Sequence, residues 1–116
     1  SLIQLRDILE VVGYTVEVAR NGGEALQMIE KKVPDAVIMD LMMPVMDGFE
    51  VLRRVRGAER TSRLPVLILT AKYLSKEELS FLKHNNVQQL IRKGNISKED
   101  LLNAISDLVR KSKTEI

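Results

Sequence analysis

The stretch DAVIMDLMMPVMDG at residues 35–48 constrains this chain more than any other. A short apolar run, Ala36-Val37-Ile38-Met39, stops on Asp40, and a turn signal, Asp47-Gly48, follows within one loop. A run this short and this continuously apolar reads as a strand covered on both faces, the situation of a parallel sheet with helices on either side. In an open sheet of that kind, ligands and chemistry gather at the carboxyl ends of the strands, near the point where strand order reverses. Asp40 stands at such an end.

The rest of the chain supports that architecture. Leu2, Leu5, Ile8, Leu9 and Val12 recur at helical spacing before Gly13, the residue of choice for closing a helix. Tyr14 to Ala19 alternates with a period of two and predicts a strand with one partly solvated face. Asn21-Gly22-Gly23 turns the chain into a helix carrying Ala25, Leu26, Met28 and Ile29, closed before Pro34. Beyond Asp47-Gly48 a helix carries Phe49, Val51, Leu52 and Val55 and stops near Gly57. PVLILT at 65–70 predicts a second buried strand. Ser75-Lys76-Glu77-Glu78 is a capping box opening a helix with Leu79 and Leu82. Val87 to Arg92 is a weaker strand. Ser97-Lys98-Glu99-Asp100 opens a last helix with Leu101, Leu102, Ile105, Leu108 and Val109 on one side, and residues 111 to 116 read as a frayed tail. Alternating helices and strands imply an α/β doubly wound parallel sheet, a three-layer sandwich with right-handed crossovers. One domain is expected over residues 1–113, with 114–116 as a disordered tail.

Composition narrows the function classes. The 116 residues are 45% hydrophobic and 29% charged, an ordinary globular balance for one domain. No apolar stretch approaches a bilayer span and no basic-then-apolar leader precedes the first helix, so a cytoplasmic protein with no membrane contact is expected. Zero cysteines exclude disulfides, thiolate zinc sites and thiol nucleophiles. The net charge of +2 raises nucleic acid as a partner, but Arg53, Arg54, Arg56, Arg60 and Arg63 are interspersed with Glu50 and Glu59, and aromatics are only 3%, too few for a stacking platform. The basic residues read as a solvated face and no nucleic-acid partner is expected.

Three residues fall at predicted strand ends: Asp40, Thr70 and Lys93. Each has an ordinary reading alone, as a turn cap, a strand former and a solvated cation. Together at three successive strand ends they describe a site. A carboxylate at the mouth of a rigid strand can attack phosphorus and form an acyl phosphate. The Thr70 hydroxyl could donate to a phosphoryl oxygen, and the small Ala71 beside it leaves space. Lys93 would keep Asp40 ionised and offset phosphoryl charge. Catalysis of this kind is positioning and electrostatics, commonly with magnesium bridging carboxylate and phosphoryl oxygens.

The run Asp40-Leu41-Met42-Met43-Pro44-Val45-Met46-Asp47-Gly48 resembles the phosphoacceptor loop of two-component receiver domains, the response-regulator family, of the CheY-like superfamily. Gly13-Tyr14, the Asn21-Gly22 turn, Leu69-Thr70-Ala71 and the lysine before the last helix match as well. The resemblance covers nearly the whole chain. It implies a flavodoxin-like fold and phosphorylation of Asp40 by a sensor histidine kinase or a phosphotransfer protein. It further implies that Thr70 and Lys93 bind the phosphoryl group and that the backbone carbonyl of Met42, with Asp40, helps hold Mg2+. The methionines would be packing and loop residues.

The chain departs from the family at its front. Receivers begin with an apolar strand ending in adjacent acids that bind magnesium, whereas Ser1 already lies inside what resembles the first helix. In the family's order that strand lies between the strands expected at 15–19 and 35–40. Three arrangements accommodate its absence: the sequence as given starts after it, the sheet closes up to four strands, or a partner chain fills the gap by exchange in a homodimer. Asp7 falls inside the helix and substitutes poorly for the acidic pair. Gly94 stands where most relatives have proline, and Leu90 where many carry a switch aromatic, so the activation change is expected either to run through Thr70 and the Tyr73 loop alone or to be weak. His84, the single histidine, reads as a favourable charge at a helix end rather than as a phosphodonor.

Two other functions bear weighing. A degenerate receiver would serve only protein association. An aspartate-nucleophile phosphatase would need a second acid two residues after Asp40, and Met42 occupies that position, so general acid catalysis lacks its group. A receiver that is not a turnover enzyme is the expectation.

Overall fold

The computed structural model describes residues 2–114 except 44, 88 and 95, with side chains from residue 4 to residue 110. Ser1, the Leu2 side chain and Pro44 of the loop motif lie outside the described residues. The elements run α1 (Leu2–Val11), α2 (Gly22–Lys31), β1 (Val37–Met39), α3 (Gly48–Gly57), β2 (Val66–Thr70), α4 (Lys76–His84), β3 (Gln89–Arg92) and α5 (Lys98–Thr114), with a 3₁₀ turn at Glu59–Thr61.

Helix starts follow the capping residues. The Asn21 side chain accepts from the Glu24 amide at 2.9 Å, Asp47 from Glu50 at 3.0 Å, and Ser97 from Asp100 at 3.1 Å. Ser75 and Glu78 form the full capping box, each side chain satisfying the other's backbone amide. The expected turn at Asn21-Gly22-Gly23 is therefore tighter than the sequence suggests: Asn21 is the cap, and both glycines already lie in α2.

The strands pair in parallel in the order β1-β2-β3, with Val37 opposite Val66 and Ile68 opposite Leu90. Central β2 turns Val66 and Ile68 to one face, against Ile29 of α2, Val51, Leu52 and Val55 of α3, and Leu82 of α4. Leu67 turns to the other, against Leu9 of α1 and Ala104, Ile105 and Leu108 of α5. Helices thus cover both faces of the sheet, as a doubly wound sandwich requires. Leu67 and Ile68 are each 0% exposed, and full burial of such side chains stabilises by about 1.5–3 kcal/mol apiece.

The front of the sheet corrects the sequence reading. Residues 14–19 keep the alternation of a strand, with Tyr14, Val16 and Val18 partly buried and Thr15 and Glu17 exposed, yet they join no ladder among the described residues. The sheet accordingly holds three strands and does not close up to four. Apolar packing holds this segment, while its backbone makes no ladder bonds among the described residues. Tyr14 and Val16 pack on the α1–α5 cluster together with Ala36 and Ile38. β1 is shorter than the apolar run, and Val37 and Ile38 are half-buried rather than covered on both faces.

Two further corrections concern the surface. Arg56 is not part of a solvated face: its guanidinium donates to the carbonyls of Asn85 and Leu64 at 2.7 Å each, and to those of Asn86 at 3.2 Å and Thr61 at 3.3 Å. It ties the end of α3 to the turn after α4, and burial lowers its pKa. Arg53, Arg54, Arg60 and Arg63 are exposed as expected. At the carboxyl end, α5 remains helical to Thr114, past residue 111 where the sequence reads as fraying. Among the described residues no helix is long and apolar enough to cross a membrane.

Candidate functional site

Parallel strands bring their carboxyl ends to one rim. Asp40 follows β1 directly, Thr70 is the last residue of β2, and Lys93 follows β3, its amide donating to the Thr70 carbonyl at 3.0 Å to extend the ladder. The three side chains converge. Thr70 Oγ1 donates to Asp40 Oδ1 at 3.1 Å, and Lys93 Nζ donates to Asp40 Oδ2 at 2.5 Å. All three strand-end residues singled out from the sequence are thus brought together, Lys93 from 53 positions away.

Two backbone amides complete the arrangement, and no residue pattern signals either. The Met42 amide donates to Asp40 Oδ1 at 3.0 Å, so Met42 meets the site through its N–H. The Lys72 amide donates to Thr70 Oγ1 at 3.2 Å. Because that hydroxyl accepts from Lys72, its own proton is directed at Asp40. Lys72 in turn sets its ammonium 3.2 Å from Glu78 of the α4 capping box. Beyond it, the Arg92 guanidinium lies 4.1 Å from the ring centroid of Tyr73, a residue 84% exposed.

Burial by itself would raise the Asp40 pKa. The hydrogen bond and charge of Lys93, the Met42 amide and the Thr70 hydroxyl outweigh burial, and the carboxyl is held below its ordinary value of 3.8. Asp40 is therefore an anion at neutral pH. Thr70 is 2% exposed, whereas the Lys93 side chain is 45% exposed, so the cation approaches the carboxylate from the solvent side.

His84 is not part of this site. It hydrogen-bonds back to its own helix, with Nδ1 2.7 Å from the Ser80 carbonyl, as a helix-end residue should. Asp7 lies exposed on α1, 3.8 Å from Arg6.

Magnesium requires several oxygen ligands near 2.1 Å, usually including one or two carboxylates. Among the described residues no group of three or more histidine, aspartate or glutamate side chains could hold a metal ion. Asp40 and the Met42 carbonyl offer two oxygens, and both Asp40 oxygens already accept hydrogen bonds. The described residues alone do not fit the ion.

Comparison with known proteins places this geometry in context. Residues 1–106 match the response regulator receiver domain family. The chain is 40% identical over 111 residues to response regulator MprA of Mycobacterium tuberculosis (strain ATCC 25177 / H37Ra), across 96% of this chain and 46% of MprA. It thus spans about half the length of that relative. Among solved structures, a CheY-like receiver domain protein from Methanospirillum hungatei JF-1 superposes with a TM-score of 0.88 at 28% identity, covering 99% of this chain and 89% of that one. The receiver domain of sensor histidine kinase PA1611 from Pseudomonas aeruginosa PAO1 has a TM-score of 0.80 at 25% identity, over 94% of this chain and 88% of that one, and holds a magnesium ion in its active-site cleft.

Proposed function

Since the chain belongs to the response regulator receiver domain family, we propose that Asp40 is the residue on which it accepts a phosphoryl group, from a sensor histidine kinase or a phosphotransfer protein. The observation that carries this reading is the convergence of the Lys93 ammonium and the Thr70 hydroxyl on one carboxylate from three adjacent strand ends.

Chemically, a lone pair of the Asp40 carboxylate forms the O–P bond as the bond from phosphorus to the donor nitrogen breaks. The bonding pair leaves on that nitrogen, which takes up a proton, and the product is an acyl phosphate. Ionisation of Asp40 at neutral pH supplies the nucleophile without a general base. Lys93 shifts from carboxylate to phosphoryl oxygen and offsets charge where it develops, and Thr70 redirects its hydroxyl to a second phosphoryl oxygen. The inward movement of Thr70 pulls on the Lys72 amide, and through the Tyr73 loop alters the face formed by α4, β3 and α5.

An association-only module is the second reading, and the lack of a magnesium ligand set among the described residues is the observation on its side, whereas the convergence of Lys93 and Thr70 on Asp40 favours phosphotransfer. A mass spectrum after incubation with a low-mass phosphoramidate and magnesium tests the reading. Addition of one phosphoryl group, absent in Asp40→Asn, supports it. An unmodified wild-type protein, modification elsewhere, or sustained hydrolysis of a phosphomonoester contradicts it.

A further inference from the structure

The loop after Asp40 is closed at its base, where the Gly48 amide donates to the Leu41 carbonyl at 3.2 Å. Its far side rests on a different element, the first turn of α2. Gly22, the first residue of that helix, is buried, and a Cβ placed on it would lie 2.3 Å from the Met46 carbonyl oxygen, 2.7 Å from Val51 Cγ2 and 3.0 Å from Met46 Cβ. Backbone of the loop therefore occupies the space a side chain would take. Of the parts in contact, Val51 is 1% exposed in the core and α2 is held by the Asn21 cap and by Ile29, at 7% exposure, which leaves half-buried Met46 of the loop as the part that gives.

The contact has a short route to the carboxylate. Two residues beyond Met46, Gly48 has no slack either: a Cβ there would lie 2.8 Å from Leu41 Cα and 2.9 Å from the Asp40 carbonyl oxygen. A push on Met46 is thus relayed through Asp47, which caps α3, and Gly48 onto the backbone of Asp40. The next residue of α2 provides a natural control, since a Cβ on Gly23 would meet only Asn21 Oδ1, at 3.3 Å.

We infer that Gly22 is a positioning residue for Asp40: the amino terminus of α2 buttresses the phosphoacceptor loop through Met46 and so sets where the carboxylate is presented. The inference rests on the reading of Asp40 as phosphoacceptor, but its geometric half stands apart from that reading.

The test compares Gly22→Ala with Gly23→Ala, and with Leu26→Ala as a variant weakened in α2 packing one helical turn beyond the contact with the loop backbone. Backbone amide shifts of residues 40–48, the initial rate of Asp40 phosphorylation by a low-mass phosphoramidate, and the melting temperature are read for each. Gly22→Ala is expected to move the loop amides and slow phosphorylation by roughly 10- to 100-fold, the penalty of misplacing a reacting group by a fraction of an ångström to one ångström. Gly23→Ala and Leu26→Ala should leave loop amides and rate near those of the wild type, whatever their melting temperatures. If Gly22→Ala fails to fold, Gly22→Ala/Val51→Ala removes one of the two clashes and keeps the pressure on Met46, with the same loop displacement expected. Unmoved loop amides in a folded Gly22 variant, or a rate loss equal to that of Leu26→Ala, would overturn the inference. A wild-type protein that is never phosphorylated would instead sink the reading of Asp40, and the amide shifts would still decide whether Gly22 positions the loop.

Discussion

The Lys93 ammonium lies 2.5 Å from Asp40 Oδ2, and the two differ in exposure: the lysine side chain is 45% exposed and the aspartate 18%. Such a pair contributes little to folding, about 0–1 kcal/mol for an ion pair open to solvent. In the proposed phosphotransfer its value lies in aiming a cation at the place where phosphoryl charge would arrive. Lys93→Met is therefore expected to leave the melting temperature nearly unchanged while slowing phosphorylation on the order of 10²-fold. Lys93→Arg keeps the charge but not the compact donor, and should recover only part of the rate. Rates from intact-mass spectra, set beside thermal melts, check this; parallel loss of both would make Lys93 a structural residue.

The Asp40 pKa carries a sign that can be measured. Burial raises it, but Lys93, the Met42 amide and Thr70 hold the folded-state value below 3.8, so the folded state binds its proton less readily than the unfolded chain. The carboxylate thus contributes stability above its ordinary pKa, and that contribution is lost as pH falls through the lower folded value. Denaturant unfolding of wild type and Asp40→Asn from about pH 6 down to about pH 3 should show wild type losing stability relative to the variant on acidification. A gap that moved the other way would mean burial wins.

Thr70 is 2% exposed and its hydroxyl serves two partners, donating to Asp40 and accepting from the Lys72 amide. Thr70→Val keeps the shape but leaves the Lys72 amide without this acceptor and Asp40 Oδ1 with the Met42 amide as its remaining donor, at a cost of about 1–3 kcal/mol. Phosphorylation should slow as well, because no hydroxyl remains to meet the phosphoryl group. Thr70→Ser should retain most of the rate. A valine variant that reacts like wild type would remove Thr70 from the chemistry.

The legible parts of this protein are those where local chemistry and tertiary demand agree. PVLILT becomes β2 because a continuously apolar run suits a strand between two others, and Asn21, Asp47, Ser75 and Ser97 start helices because each side chain can reach an orphan amide. Asp40, Thr70 and Lys93 could be found because parallel strands place their ends on one rim. Residues 14–19 have the pattern of a strand and lack a ladder, since pattern reports which side is apolar and not whether a neighbour exists. Arg56 looks like any surface arginine until the turn after α4 arrives to present two of its carbonyls, 29 and 30 positions away. Gly22 reads as part of a turn because nothing local reveals that the Met46 carbonyl will occupy its side-chain space.

Gly94, where the family resemblance leads one to expect proline, has a backbone that proline cannot adopt. Its φ is 88°, in the left-handed region, while proline is confined near −65°. Gly94→Pro cannot reproduce this turn, and the nearest residue to feel the change is Lys93. Loss of the Lys93–Asp40 contact, seen as a higher carboxyl pKa for Asp40 by carbon NMR, and slower phosphorylation are expected. A proline variant with an unchanged Asp40 titration would show that the loop tolerates both conformations.

The side of β1 that faces away from β2 joins no ladder among the described residues, and this should be visible by hydrogen exchange. The Val37 amide donates to the Pro65 carbonyl, so in a parallel ladder Val37 and Met39 face β2 while Ile38 turns its N–H and C=O to the opposite side. Residues 14–19 likewise have no ladder bonds among the described residues, and Tyr14 and Val16 pack on the same cluster as Ile38. Apolar contact without backbone pairing slows exchange little, because opening breaks no ladder. By contrast Leu67, Ile68 and Leu69 sit between two strands and open only when the sheet does. Amides of residues 15–19 and of Ile38 are therefore expected to exchange faster than those of Leu67–Leu69 by about 10³-fold or more, the ratio for roughly 4 kcal/mol of difference in opening free energy. Equal protection on both sides of β1 would mean that the backbone of residues 15–19 is paired in solution.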